Sequence, residues 1–539
     1  MKLFAHILLF FFSFNIFFAA DYNSIIKSGT PYLFNSKDNK KIELQVNYYR
    51  PELHKLYKSQ KGYFLIHYDT SGINAVDMSD KDNNGIPDYI DSVAYYFDYS
   101  YEYQVISLMM LSPIPDSGKG GSDAYDIYVL DIGNGKLFET FYGITFNDLL
   151  IQPQKQYDRY TAFTVIDNNY SPDDKTVIDS NVVIQTYQTN GIEALKITAA
   201  HELNHAIQFR YGINPYDFDL IAEMTSITIE KLTITNSIDY VKYVNDLILN
   251  YKKYIFSEPS PENGYRYGIF LIYLTKKYGN EIIREIWENV QEYQTCYQII
   301  NEVLLKYNSS LNIEFCSFIY ELFKTSRENL SYYFVDSDLF NKLKNSKVEK
   351  FANINYIDSV TANYQINFIS FIDTLSQNQD SVDFIFVMQD YESLIIKAEK
   401  QYKYSLIFKN GFDEGFIKLD DIDYYYNLSN SNFYCVNYFV SRNYKLSNDV
   451  ISFPSPYKFY AKEKIYFTVP YQFKQNLAKL IIFNNTFEVL FEKVLPISYR
   501  GNFKVVELDE LPENIGPGIY LFSTGGGEQT YLGKFVVVK

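Results

Sequence analysis

The chain has 539 residues, a formal charge of −16, 54 tyrosines and 43 phenylalanines. That length allows roughly three or four domains, and the acidic balance argues against nucleic acid or an anionic membrane as partner, because both want a basic surface. The aromatic excess, alongside abundant Asn, Lys and Ile, reads as a compositional bias and not as an aromatic binding stripe.

Met1-Lys2-Leu3 leads into an apolar run over 4–18 that closes on Ala19-Ala20, so residues 1–20 read as a secretory signal peptide. The run is too short for a membrane anchor, and no later segment approaches the roughly eighteen apolar residues that a spanning helix requires. Cleavage after Ala20 is expected, although Phe18 is bulky for the −3 position. The mature chain is therefore expected to be secreted or held at the cell surface, beginning with a polar N-terminal segment over 21–60.

Asp80-Lys81-Asp82-Asn83-Asn84-Gly85-Ile86-Pro87-Asp88-Tyr89-Ile90-Asp91 places side-chain oxygens at positions 1, 3, 5, 9 and 12. Gly85 permits a sharp turn and the Ile86 carbonyl fills position 7, the pattern of a calcium loop. Asp91 stands where glutamate is usual and Pro87 follows the turn, so the loop looks more like the calcium loops of thrombospondin-type repeats than a paired helix-loop-helix. The expected calcium ligands are Asp80, Asp82, Asn84, Ile86, Asp88 and Asp91, with calcium in a structural role. The plainer alternative is a polar turn that caps a helix beginning near Tyr89. A glycine-rich loop over 116–123 precedes a strand over 125–131. It lacks the strand-loop-helix setting and the Lys-Ser/Thr of a phosphate loop.

His201-Glu202-Leu203-Asn204-His205 is the most informative stretch, and it holds two of the chain's five histidines. Positions i and i+4 share a helix face, so both rings can reach one metal ion, with Glu202 beside them as general base. A strand is expected over 181–185. The following helix is apolar on most faces and ends at Tyr211-Gly212. A catalytic zinc needs a third protein ligand. Gln208 and Tyr211 stand where a HExxHxxGxxH motif needs glycine and histidine, which excludes that variant. A glutamate from the next helix remains: Glu223 is preferred, while Glu230, two turns on along the same face, is either the rival ligand or a hydrogen-bond partner of a ligand. Ile269, Phe270, Tyr273, Leu274, Ile282, Ile283, Ile286 and Trp287 recur at helical spacing as core. Tyr265 and Tyr267 are candidate donors to an oxyanion.

Beyond about residue 330 the pattern changes to short alternating runs, as at 363–368, 382–387 and 405–408, which suggest a β-sandwich. A further module starts near Phe453-Pro454-Ser455-Pro456 and carries strand-like runs to the last residue. The three cysteines, Cys296, Cys316 and Cys435, cannot all pair within one chain. A Cys296–Cys316 disulfide and buried free thiols are both open.

On the residues His201 to Gln208 and Glu223 to Glu230, the chain resembles secreted bacterial zinc metallopeptidases of the gluzincin-like kind, where HExxHAxQ precedes a helix with an E-x(6)-E pair. The resemblance covers about 60–330 and includes His67-Tyr68-Asp69-Thr70-Ser71-Gly72, the acidic loop, and Tyr265-Arg266-Tyr267-Gly268 with its apolar helix. It departs at Leu220, where an aromatic is usual, and at Thr225 and Ile227, which replace an Ala-x-Trp. The end of the chain, with Gly518-Ile519-Tyr520-Leu521-Phe522 and Gly533-Lys534-Phe535-Val536-Val537-Val538-Lys539, resembles the immunoglobulin-like C-terminal sorting domain of type IX secretion.

The resemblances imply a multidomain chain: an α+β zincin-like metallopeptidase core over 61–330, then two β-sandwich, immunoglobulin-like domains over 331–452 and 453–539. They imply a secreted endopeptidase with zinc on His201, His205 and Glu223, acting on protein or peptide substrates and meeting the secretion machinery through its last domain. A calcium-stabilised surface or adhesion protein with an idle zincin scaffold is the alternative. Another metal-dependent hydrolase, an amidase or esterase, also satisfies these ligands.

Overall fold

The computed structural model describes residues 27–33, 50–341 except 134–140, 152–156, 180–181, 214–216, 252, 294 and 329–330, strands between 354 and 441, and most of 450–538. The expected signal peptide lies outside the described residues. The structure is mixed helix and sheet, 37% helical and 27% strand. Strands and one long helix share 55–185, helices fill 191–328 and strands follow over 354–538, which is an α+β arrangement.

The first sheet contains β1 (Lys55–Lys58), β2 (Phe64–Tyr68), β3 (Tyr125–Leu130), β4 (Gly143–Ile151) and β5 (Arg159–Asp167), in the order β1-β2-β3-β5-β4. β2, β3 and β5 run parallel, while β1 and β4 pair antiparallel at the two edges. Alternation along β3 sends Ile127 and Val129 into the main core and Tyr128 and Leu130 into a second cluster with Ile144, Phe146, Phe163 and Val165. Both faces are therefore covered, and β2 is buried at every position. A hairpin of β6 (Lys175–Asp179) and β7 (Val182–Gln185) supplies the strand expected before the histidine helix.

Helix α1 (Asp88–Tyr101) follows the acidic loop and widens into π-type turns over Glu102–Ser107. Helix α2 (Gly191–Tyr211) packs against α1, β4 and β5. Sixteen of its 21 residues are buried, so it is a core helix on nearly every face. It ends at Gly212, whose φ of 132° few other residues adopt. Then come α3 (Phe218–Thr233), α4 (Val241–Asn250), α5 (Pro261–Tyr278), α6 (Ile282–Glu288), α7 (Cys296–Lys306) and α8 (Leu311–Glu328). α5 begins with Ser260 capping the Asn263 N–H and Pro261 in the first turn. Two glycines let it lie close on α3: a Cβ on Gly264 would stand 2.5 Å from Glu223 Cβ, and one on Gly268 would stand 2.6 Å from Ile227 Cγ2.

After the helices, three strands (Phe433–Ser441, Asp380–Met388, Gln365–Asp373) form one antiparallel sheet and four (Asp413–Leu419, Lys403–Asn410, Ser393–Lys400, Ile354–Tyr356) another. The Phe384 and Tyr404 rings, 5.2 Å apart, join the two. From Ser452 onward two further sheets share one core containing Phe467, Leu480, Ile482, Val506, Phe522 and Phe535. Among the described residues no helix is long and apolar enough to cross a membrane.

Candidate metal centre

The i, i+4 spacing on α2 and the close approach of α3 bring His201, His205 and Glu223 together. Their ligand atoms lie within 4.8 Å of one another, and all three residues are buried. His201 Nε2 is 3.0 Å from one Glu223 oxygen and His205 Nε2 is 3.3 Å from the other. None of these four atoms has a hydrogen-bond partner, although all are shut away from solvent. Buried polar atoms left without partners are costly. A cation accepting all three ligands would satisfy them, and two imidazoles plus one carboxylate form a zinc donor set.

The far edges of both rings are held. His201 Nδ1 is 2.6 Å from Glu230 Oε1, and His205 Nδ1 is 2.8 Å from Gln208 Oε1. Each oxygen accepts an Nδ1–H, which leaves the Nε2 lone pairs for a metal. Glu223, not Glu230, thus faces the Nε2 atoms. Burial alone would push the His201 pKa down, but Glu223 and then Glu230 lift it to about 10, so without an ion the ring itself takes up the positive charge that a cation on Nε2 would replace. Burial likewise opposes the Glu223 anion, yet His201 and His205 hold its pKa below the usual range. Both shifts show a pocket whose field favours positive charge.

Gln208 ties the two helices together, donating to Asn204 Oδ1 on its own helix and to Thr225 Oγ1 of α3 at 2.8 Å. Thr225 also receives the Trp287 indole N–H at 3.3 Å. The chain's single tryptophan therefore braces the glutamate helix from α6.

Glu202 points toward the edge strand β4. Its Oε2 lies 2.9 Å from Thr145 Oγ1 and 3.2 Å from Thr30 Oγ1. This packing needs Gly143, since a Cβ there would be 2.8 Å from Glu202 Cγ and 3.0 Å from Thr198 Cγ2. Tyr265 stands beside the site, its ring centroid 6.4 Å from that of His201. Tyr267 is not brought to it: two residues along a helix is more than half a turn, and its hydroxyl donates to the Tyr254 carbonyl while its ring packs on Phe256. Gly143, Thr145 and Thr30 were missed in the sequence because only tertiary pairing places them beside Glu202.

In the acidic loop, Asp80 accepts from the backbone N–H groups of Asn84 and Gly85 at 3.1 and 2.9 Å, and Asn84 Oδ1 accepts from Ile86 N at 2.7 Å. The Asn84 amide donates to Asp82 and Asp91, and Asp88 accepts from Lys81 N. Gly85 has a φ of 86°, the left-handed turn expected of it. Asp80, Asp82, Asn84, Asp88 and Asp91 thus meet around one turn. Among the described residues, however, His201, His205 and Glu223 are the one trio of His, Cys, Asp or Glu drawn within 4.8 Å.

Cys296 is a buried free thiol and Cys316 is disulfide-bonded, which sets aside a Cys296–Cys316 pair. Family models give no match to this chain. None of the curated proteins matches it significantly either.

Proposed function

We propose that the protein is a secreted zinc endopeptidase with a zincin-like core, cutting protein or peptide bonds. The observation that carries this reading is the convergence of His201 Nε2, His205 Nε2 and both Glu223 oxygens, all buried and without hydrogen-bond partners, next to Glu202 on the same helix. When bound, zinc supplies Lewis acidity, which makes water a nucleophile near neutral pH and polarises the scissile carbonyl. His201, His205 and Glu223 hold the ion, while Glu230 and Gln208 fix the ring orientations. Glu202 takes a proton from the attacking water and passes it to the leaving amine. The outer edge of β4, adjoining Glu202, has backbone groups that an extended peptide could use. Tyr265, whose ring stands beside His201, is the candidate donor to the developing oxyanion.

Calcium in the 80–91 loop is part of the same reading, as a structural ion. So are the last two pairs of sheets as β-sandwich domains, the final one addressing the chain to the secretion machinery. The disulfide at Cys316 supports an exported location.

The deciding experiment measures zinc content by elemental analysis beside casein hydrolysis, for the wild type and Glu202→Gln, each assayed both as the full chain and with residues 21–49 removed after folding. We expect about one zinc per chain in both, with hydrolysis lower by about 10²–10⁴-fold in the variant, the worth of a general base. A chain that holds no zinc, or a variant as active as wild type, would favour the idle-scaffold adhesion protein.

A further inference from the structure

We infer that residues 27–33 form an autoinhibitory strap, a piece of the chain's own N-terminal region seated on the site in place of substrate. The strap adds to the outer edge of β4: Tyr142 N donates to the Lys27 carbonyl at 2.9 Å, Gly29 N donates to Gly143 O at 3.0 Å, and Ser28 bridges Gly143 in parallel. An exposed strand edge is a template for an added strand. Here the template is already used.

The side chains carry the inference further. Thr30 Oγ1 accepts from Thr145 N at 2.8 Å and reaches the Glu202 carboxylate, where the attacking water would have to give up its proton. Ser28 N donates to the Tyr265 hydroxyl at 3.1 Å, engaging the proposed oxyanion donor. Lys27 is 1% exposed, and its ammonium pairs with Glu230, which holds His201, and with Asp239 at 2.8 Å. Ser28 and Thr30 are fully buried. The fit is specific at Gly29, where a Cβ would stand 2.4 Å from Ile144 Cγ1 and 2.9 Å from Phe141 Cδ2. The strap thus occupies the strand edge, the base and the oxyanion donor together. The full chain is then a latent form, activated when the strap leaves. This consequence rests on the peptidase reading, whereas the seating of the strap does not.

The test uses the full chain with a site-specific protease sequence placed within 34–49, cut after folding and freed of its N-terminal fragment by gel filtration. A labelled peptide with the sequence of 27–33 is then titrated against it, a readout that needs neither zinc nor hydrolysis. Casein hydrolysis is followed before and after the cut, and in an uncut Gly29→Val variant. We expect the peptide to bind the cut chain and not the uncut one, and hydrolysis to rise by about tenfold or more on cutting and in Gly29→Val. Added peptide should reverse the gain, while its Gly→Val counterpart should not. Peptide binding with no hydrolysis in any form would keep the strap and sink the peptidase. Absent binding, with hydrolysis unchanged by the cut or the substitution, would overturn the strap.

Discussion

Glu230 grips His201 from behind, its Oε1 2.6 Å from Nδ1, while Glu223 faces the opposite nitrogen of the same ring at 3.0 Å. The two glutamates share a helix face yet have different jobs. Glu230→Gln keeps an oxygen able to accept the Nδ1–H but loses the charge that makes the imidazole a better donor to metal. Zinc affinity should fall on the order of 10–100-fold, as for outer partners of metal-bound histidines. Glu223→Ala should abolish stoichiometric zinc, because two protein ligands remain. Competition with a zinc indicator dye measures both, and equal losses would contradict the assignment.

Gly143 packs on the proposed base Glu202, and Gly264 on the proposed ligand Glu223. Gly143→Ala puts a methyl 2.8 Å from Glu202 Cγ, so the carboxylate must move while the trio stays in place. Hydrolysis should drop by roughly 10²-fold with zinc retained. Gly264→Ala pushes instead on Glu223 Cβ and, at 2.8 Å, on the Leu220 carbonyl. Backbone gives way poorly, so this variant should lose stability by about 1–3 kcal/mol and bind zinc more weakly. Metal content and casein rate, measured on both, should split in this way.

Calcium gives an independent test at the loop. If the turn of Asp80, Asp82, Asn84, Asp88 and Asp91 binds the ion, selective calcium removal should lower the melting temperature and increase proteolytic nicking over 75–100. Melting unchanged between calcium-free and saturating conditions would return the loop to a hydrogen-bonded turn.

Much of the site was legible in the sequence because its signals are local. The i, i+4 histidines fix a helix face, and the run before Gly212 reads as a core helix by composition alone. Strands such as Ile465–Val469 follow from alternation. Glu230 stayed a rival to the preferred Glu223 because a seven-residue separation returns to the same face; which ring nitrogen each meets is set by how α3 crosses α2. Tyr265 and Tyr267 looked alike for want of a known helix phase. The strap was illegible, since Thr30 meets Thr145 across 115 residues and nothing in Lys-Ser-Gly-Thr announces a partner at a sheet edge.

Asp174 is an acid that the proposed mechanism does not use. Asp174 is buried, and its Oδ2 has no hydrogen-bond partner. Burial first, then repulsion from Asp167, Asp131 and Asp173, pushes its pKa up to about 6. An unfolded aspartate titrates near 3.8. Between those values the folded chain binds more protons than the unfolded one, so stability falls as pH rises. The favourable contribution is complete below the unfolded value and gone once pH passes the folded one. Asp174→Asn removes the charge without changing the side chain's size. The variant should melt higher than wild type at pH 7.5, by on the order of 1–4 °C. At pH 4, where the wild-type carboxyl is already neutral in the folded state, the two should converge. Thermal melts of the full chain at both pH values check the sign. A variant that melts lower than wild type at pH 7.5 would show instead that the Asp174 charge is paired in solution.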